Sequence, residues 1–148
     1  MKDEDNLFPT VRVESMRTVA PNGEIMLSPT VVIAQNDAET ALQLSNNLHA
    51  HFAQVAVADT ADDLCTFLQL HHPRIAVLDI ELLSLDEIRK LARNFAELTI
   101  ICTHRSPDEK MWMDSLKAGA VEFCHPQDLR SILRASRSSG HHHIAIAA

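Results

Sequence analysis

Two side chains in this sequence stand where strand-end chemistry is readily done. Asp79 directly follows the run Arg74-Ile75-Ala76-Val77-Leu78, and Thr103 directly follows the run from Leu98 to Cys102. A carboxylate held at the end of a rigid strand, yet reaching the solvent edge, can act as a nucleophile toward a phosphoryl donor. A hydroxyl on the neighbouring strand end could then donate to a phosphoryl oxygen once one is attached. Asp79 taken alone also fits an aspartate that merely ends a strand and caps a loop, a common use of that residue.

The other reactive residue types carry less. Cys65, Cys102 and Cys124 have no metal-like spacing and lie in apolar stretches, where cysteine packs as a small hydrophobe; they indicate a reduced, cytosolic protein. His141, His142 and His143 are adjacent, so their side chains point different ways, and the run reads as a tag remnant or tail rather than a metal site. The pairs His49/His51 and His71/His72 fall at helix ends near loops.

Positioning Asp79 and Thr103 requires a sheet, and the pattern supplies one. From Thr30 onward short apolar runs alternate with amphipathic stretches, as expected for a parallel sheet covered by helices on both faces. The strands are predicted at Val31 to Ala34, Gln54 to Ala58, Ile75 to Leu78, Leu98 to Cys102 and Val121 to Cys124. Apolar residues three and four apart mark the helices: Ala41, Leu44 and Leu48; Leu64, Phe67 and Leu68; Ile88, Leu91 and Phe95; Trp112 and Leu116; Leu129, Ile132 and Leu133. Thr60 with Asp63, Ser84 with Glu87, and Ser106 with Glu109 each place a hydroxyl three residues before an acid, the pattern of a helix start, with Pro107 at the first helical position of the fourth helix. Helical spacing with Ser115 and Leu116 makes Trp112 a core residue of the fourth helix, with a partner-facing role for Met111, Trp112 and Met113 as the alternative. Residues 1–28 read as a mobile extension, 29–138 as the domain and 139–148 as a disordered tail; Met26 is a second possible translation start.

Composition narrows the function classes. The formal net charge of −7 disfavours sequence-independent nucleic-acid binding, which depends on Lys and Arg neutralising phosphates. No apolar run approaches the roughly eighteen residues needed to span a bilayer, and no signal core precedes the domain. Aromatic residues are only 4% of the chain, so the core must be mostly aliphatic.

In an open parallel sheet, ligands gather beyond the carboxyl ends of the strands. The residues there are Gln35, Asn36 and Asp37 after the first strand, Asp59 after the second, Asp79, Thr103, and His125 with Pro126 after the fifth. The five strand and helix pairs, with Asp79 after the third strand, Thr103 after the fourth and Lys117-Ala118-Gly119-Ala120 before the fifth, resemble the receiver domain of two-component response regulators from about Thr30 to Arg137. The resemblance implies a doubly wound α/β fold of the flavodoxin-like (CheY-like) type, a (βα)5 three-layer sandwich with a five-stranded parallel sheet. It implies transfer of a phosphoryl group to Asp79 from a phosphohistidine on a sensor histidine kinase or phosphotransfer protein, with Mg2+ bridging carboxylates and phosphoryl oxygens. Thr103 would turn inward as the switch, with Phe123 as the switch aromatic. The face of the fourth helix, fifth strand and fifth helix would then change its preference for a downstream protein target or a second copy. The expectation is a signalling module, not an enzyme.

The departures from the resembled pattern bear on the chemistry. Gln35 and Asn36 stand where the family carries two metal-holding acids, so the acidic pocket has lost charge. Asp37, one position along, and Glu81, two past Asp79, are the candidate replacements beside Asp79 itself. The family's lysine has no clean match: either Phe123 matches the switch aromatic or His125 replaces the lysine, and His125 also reads as a loop histidine before a proline. Leu82, Leu83 and Glu87 replace the Met-Pro pair and glycine that follow the acceptor, and His104 replaces a small residue, with bulk that would screen Asp79. Two functions stay open, a phosphorylatable switch and a pseudo-receiver that signals through protein contacts without phosphorylation. A flavodoxin-like ligand binder or small enzyme would need a glycine- or hydroxyl-rich loop after the first strand, and Gln35-Asn36-Asp37-Ala38-Glu39 is not one.

Overall fold

A computed structural model of the chain describes residues 30–137 and the backbone of Val11–Val13. The elements in chain order are β1 (Val11–Val13), β2 (Thr30–Ala34), α1 (Ala38–Leu48), β3 (Gln54–Ala58), α2 (Ala61–His71), β4 (Ile75–Asp79), α3 (Leu85–Asn94), β5 (Thr99–Thr103), α4 (Glu109–Ala118) and β6 (Glu122–Cys124). A last helix, α5, covers 129–137. The sheet order is β1-β3-β2-β4-β5-β6, with β2 to β6 mutually parallel and β1 antiparallel on the β3 edge.

The five predicted strands form within one residue of their expected bounds. Their side chains alternate between two buried layers, as the two-residue period of a strand requires. Val31, Ile33, Val55, Val57 and Val77 pack with Leu44 and Leu48 of α1 and Ile132 of α5. Val32, Ala56, Ala76, Leu78 and Ile100 pack instead with Leu64 and Leu68 of α2 and Ile88 and Leu91 of α3. These two aliphatic cores, one on each sheet face, make the three-layer sandwich and hold the strand ends rigid. The order also reverses beside β2, whose neighbours are β3 and β4, so a crevice must open beyond the carboxyl ends of β2 and β4.

Helix entry follows the capping chemistry in two of the three predicted places. The Thr60 hydroxyl accepts the Asp63 N–H at 3.0 Å, and Ser84 with Glu87 forms a reciprocal capping box. The fourth helix is the correction. Its N-cap is Asp108, whose carboxylate accepts the Met111 N–H at 2.8 Å, so the helix starts at Glu109 and Pro107 stays outside it. A carboxylate directly before the helix outcompetes the earlier serine, and the Ser106 N–H is taken by the His104 ring at 2.9 Å.

The helix also buries a different face from the one expected. Ser115 and Ala118 become its buried positions, while Trp112 and Met113 are each 44% exposed, which overturns the core assignment of Trp112. The pattern of residues 1–28 predicts no strand, yet Val11–Val13 pairs with Ala56, Val57 and Ala58. Three residues are too few for a two-residue period to stand out, although the β-branched valines suit a strand. The rest of that stretch and the His141–His143 run lie outside the described residues.

Candidate functional site: the Asp79 cleft

β4 ends on Asp79, directly opposite Thr103 at the end of β5. The turn that follows is closed by the Asp79 carbonyl, which accepts the N–H groups of Leu82 at 2.9 Å and Leu83 at 3.0 Å, and by the Ile80 N–H donating to the Thr103 carbonyl. Asp79 is thereby only 8% exposed. Its carboxylate accepts one backbone amide per oxygen, Glu81 N–H to Oδ1 at 2.9 Å and Asn36 N–H to Oδ2 at 3.0 Å. Asn36 contributes its backbone, and each carboxylate oxygen keeps lone-pair capacity towards the cleft.

The cleft has a volume of about 340 Å3 and is lined by Gln35, Asn36, Asp37, Thr40, Asp79, Glu81, Arg105 and Pro126. Gln35 is almost fully buried, and its Nε2 donates to Thr103 Oγ1 at 3.0 Å. The Thr103 hydroxyl, fully buried, faces the Leu78 carbonyl at 3.5 Å. The two positions expected as switch and lost acid therefore bond to each other, and Thr103 is already turned inward.

The carboxylates expected to supplement the pocket are committed elsewhere. Asp37 is the N-cap of α1, where its Oδ2 accepts both the N–H and the hydroxyl of Thr40, at 2.9 Å and 2.8 Å. The Thr40 hydroxyl, then the Thr40 amide, hold the Asp37 carboxyl below its ordinary range against a small opposing effect of burial, and the Arg105 charge adds a weaker pull. Glu81 Oε2 is shared between His104 Nε2 at 2.9 Å and Arg105 Nε at 3.0 Å. Because His104 Nδ1 accepts the Ser106 N–H, its other ring nitrogen must carry the proton, which makes it a neutral donor to Glu81. His104 thus acts on Glu81 and is absent from the cleft lining, so the expected screening of Asp79 by its bulk is replaced by a bond to the adjacent loop.

Phe123 and His125 lie in different surroundings. Phe123 is 5% exposed, sits opposite Cys102 and packs in the core on the α2, α3 and α4 side of the sheet. His125 Nδ1 accepts the Gln127 N–H at 3.0 Å and does not line the cleft, which matches a loop histidine before a proline. The cation that does line the cleft, Arg105, was not singled out by sequence. It lies two residues past Thr103 as Glu81 lies two past Asp79, and the opposed register of Asp79 and Thr103 was the signal that would have paired them.

The fold class implies a divalent cation beside the acceptor. The residues present do not fit one: the amides Gln35 and Asn36 replace acids, Asp37 is turned to its helix and Glu81 to two nitrogen donors. Among the described residues no three or more His, Cys, Asp or Glu side chains converge as a metal site.

Strand order, layers and the aspartate and threonine at adjacent strand ends define the CheY-like receiver fold. No family model matches the sequence, and no curated protein matches it. Solved structures do. A response regulator from Thermotoga maritima is 25% identical, with a TM-score of 0.68 over 76% of this chain and 98% of the other. A response regulator receiver protein from Pseudomonas putida is 22% identical, with a TM-score of 0.66 over 77% and 99%. A CheY-like receiver domain protein from Methanospirillum hungatei JF-1 is 18% identical, with a TM-score of 0.67 over 78% and 98%. The chain therefore shares the receiver fold across nearly the whole length of these proteins. Among the described residues no helix is long and apolar enough to cross a membrane.

Proposed function

We propose that this chain is a pseudo-receiver, a non-enzymatic module that keeps the receiver fold and signals in the cytoplasm through protein contacts that do not depend on phosphorylation. One observation carries this reading: the groups around Asp79 are satisfied inside the protein, Gln35 by Thr103, Asp37 by Thr40 and Glu81 by His104 and Arg105, and among the described residues no lysine lines the cleft. A phosphoryl donor carries negative charge and would meet Asp37, Asp79 and Glu81 with only a guanidinium already engaged by Glu81 to offset them. The exposed Trp112 and Met113 on α4 suit contact with a downstream protein.

A phosphorylatable switch, served by a sensor histidine kinase or phosphotransfer protein, is the second reading. It is favoured by Asp79 itself, whose oxygens each accept a single amide while facing a cleft. Incubation with acetyl phosphate and Mg2+, followed by intact mass measurement, separates the two. The parent protein is expected to remain unmodified, like Asp79→Asn. A metal-dependent phosphoryl adduct on the parent that disappears in Asp79→Asn would establish the switch instead.

A further inference from the structure

We propose that Arg105 is the resident cation of the Asp79 cleft and the residue that excludes divalent metal ions from it. The inference extends the metal-free reading of the pocket by naming what makes it so. Asp37, Asp79 and Glu81 line one cleft, and these three carboxylates at the ends of β2 and β4 give it a negative potential that attracts cations. Arg105 lines that same cleft from the loop after β5, and its Nε lies 3.0 Å from Glu81 Oε2. A guanidinium is permanently charged and offers no lone pair, so it neutralises the site and cannot become a metal ligand.

Geometry places Arg105 to act on two walls at once. It is bonded to Glu81 on the loop after β4, and its charge also reaches Asp37 on the loop after β2. Asp79 lies between those loops, held by a backbone amide from each, Asn36 and Glu81. His104 shares the same Glu81 oxygen but as a neutral donor, so Arg105 supplies the positive charge of this pairing. The Arg105 side chain is 79% exposed and follows the end of β5, so the cores are built without it.

Removing one positive charge from the rim of a carboxylate-lined cleft raises its attraction for a divalent ion, and solvent screening keeps the effect to roughly tenfold in affinity. The test titrates Mn2+ alone into the full chain and follows paramagnetic broadening of the Asn36 and Glu81 amides. Arg105→Ala and the longer neutral Arg105→Gln are both expected to bind Mn2+ about tenfold more tightly than the parent, with those two amides broadened first. Arg105→Lys, which keeps the charge, should stay near the parent, and adding Asp79→Asn to Arg105→Ala should abolish the gain.

Affinities for Arg105→Ala and Arg105→Gln within about twofold of the parent would overturn the proposal, as would a gain that survives Asp79→Asn. The phosphodonor experiment is read independently: an adduct on the parent would defeat the pseudo-receiver reading, whereas only the Mn2+ series bears on Arg105.

Discussion

Gly119→Ala is expected to destabilise the protein by about 3 kcal/mol or more, combining backbone strain with overpacking. Gly119 ends α4 at φ 120° and ψ 0°, a conformation that side chains with a Cβ rarely adopt. A Cβ built there would also lie 2.5 Å from Ala92 Cβ on α3, far inside van der Waals contact. The glycine thus lets α4 stop and β6 begin while α3 and α4 stay packed. Urea denaturation would measure the loss as a lower midpoint at unchanged slope. Ala92→Gly in the same background should relieve the collision and leave the strain, recovering only part of the stability. A loss below about 1 kcal/mol for Gly119→Ala would show that neither constraint operates.

Thr103→Val is expected to cost about 2 kcal/mol, because it leaves the buried Gln35 Nε2 without its acceptor. Shape is nearly conserved, so the loss is a desolvated donor with no partner rather than a cavity. Gln35→Leu should therefore rescue Thr103→Val, since replacing both partners of a buried bond by apolar groups is close to neutral. A double-mutant cycle would read a coupling of at least about 1 kcal/mol between the two positions. Simple additivity would mean that the bond contributes nothing and that Thr103 is not held inward by Gln35.

Asp79 and Thr103 could be placed from sequence because both depend on strand ends, and short apolar runs between helical patterns locate strand ends to within a residue. Gln35 and Asn36 were legible as missing charge, but not as structure. That Gln35 would bond Thr103, and that Asn36 would use its backbone on Asp79, depends on how β2 and β5 flank β4. The role of Asp37 as a helix cap was not legible, because the same carboxylate that suits a cation also suits a helix N-cap, where it bonds Thr40. Trp112 failed because spacing alone does not fix which face of α4 meets the sheet: the buried positions are Ser115 and Ala118, and the tryptophan is exposed. Arg105 carried no motif at all. Only the register that opposes Asp79 to Thr103 brings it against Glu81.

The receiver fold and the internal pairing of its pocket are separable properties in this chain. The cores that fix the strand ends are aliphatic and complete on both faces, whereas the polar groups above them are arranged to satisfy one another.

The most direct test follows the backbone amides of Asn36 and Glu81, the two donors to Asp79, by nitrogen-resolved NMR before and after addition of Mg2+ with acetyl phosphate. A new group on Asp79 would have to change both bonds. The pseudo-receiver account predicts that the two resonances, together with those of Thr103 and Trp112, keep their positions. A concerted shift of Asn36 and Glu81 that spreads to Thr103 and the α4 surface would contradict it.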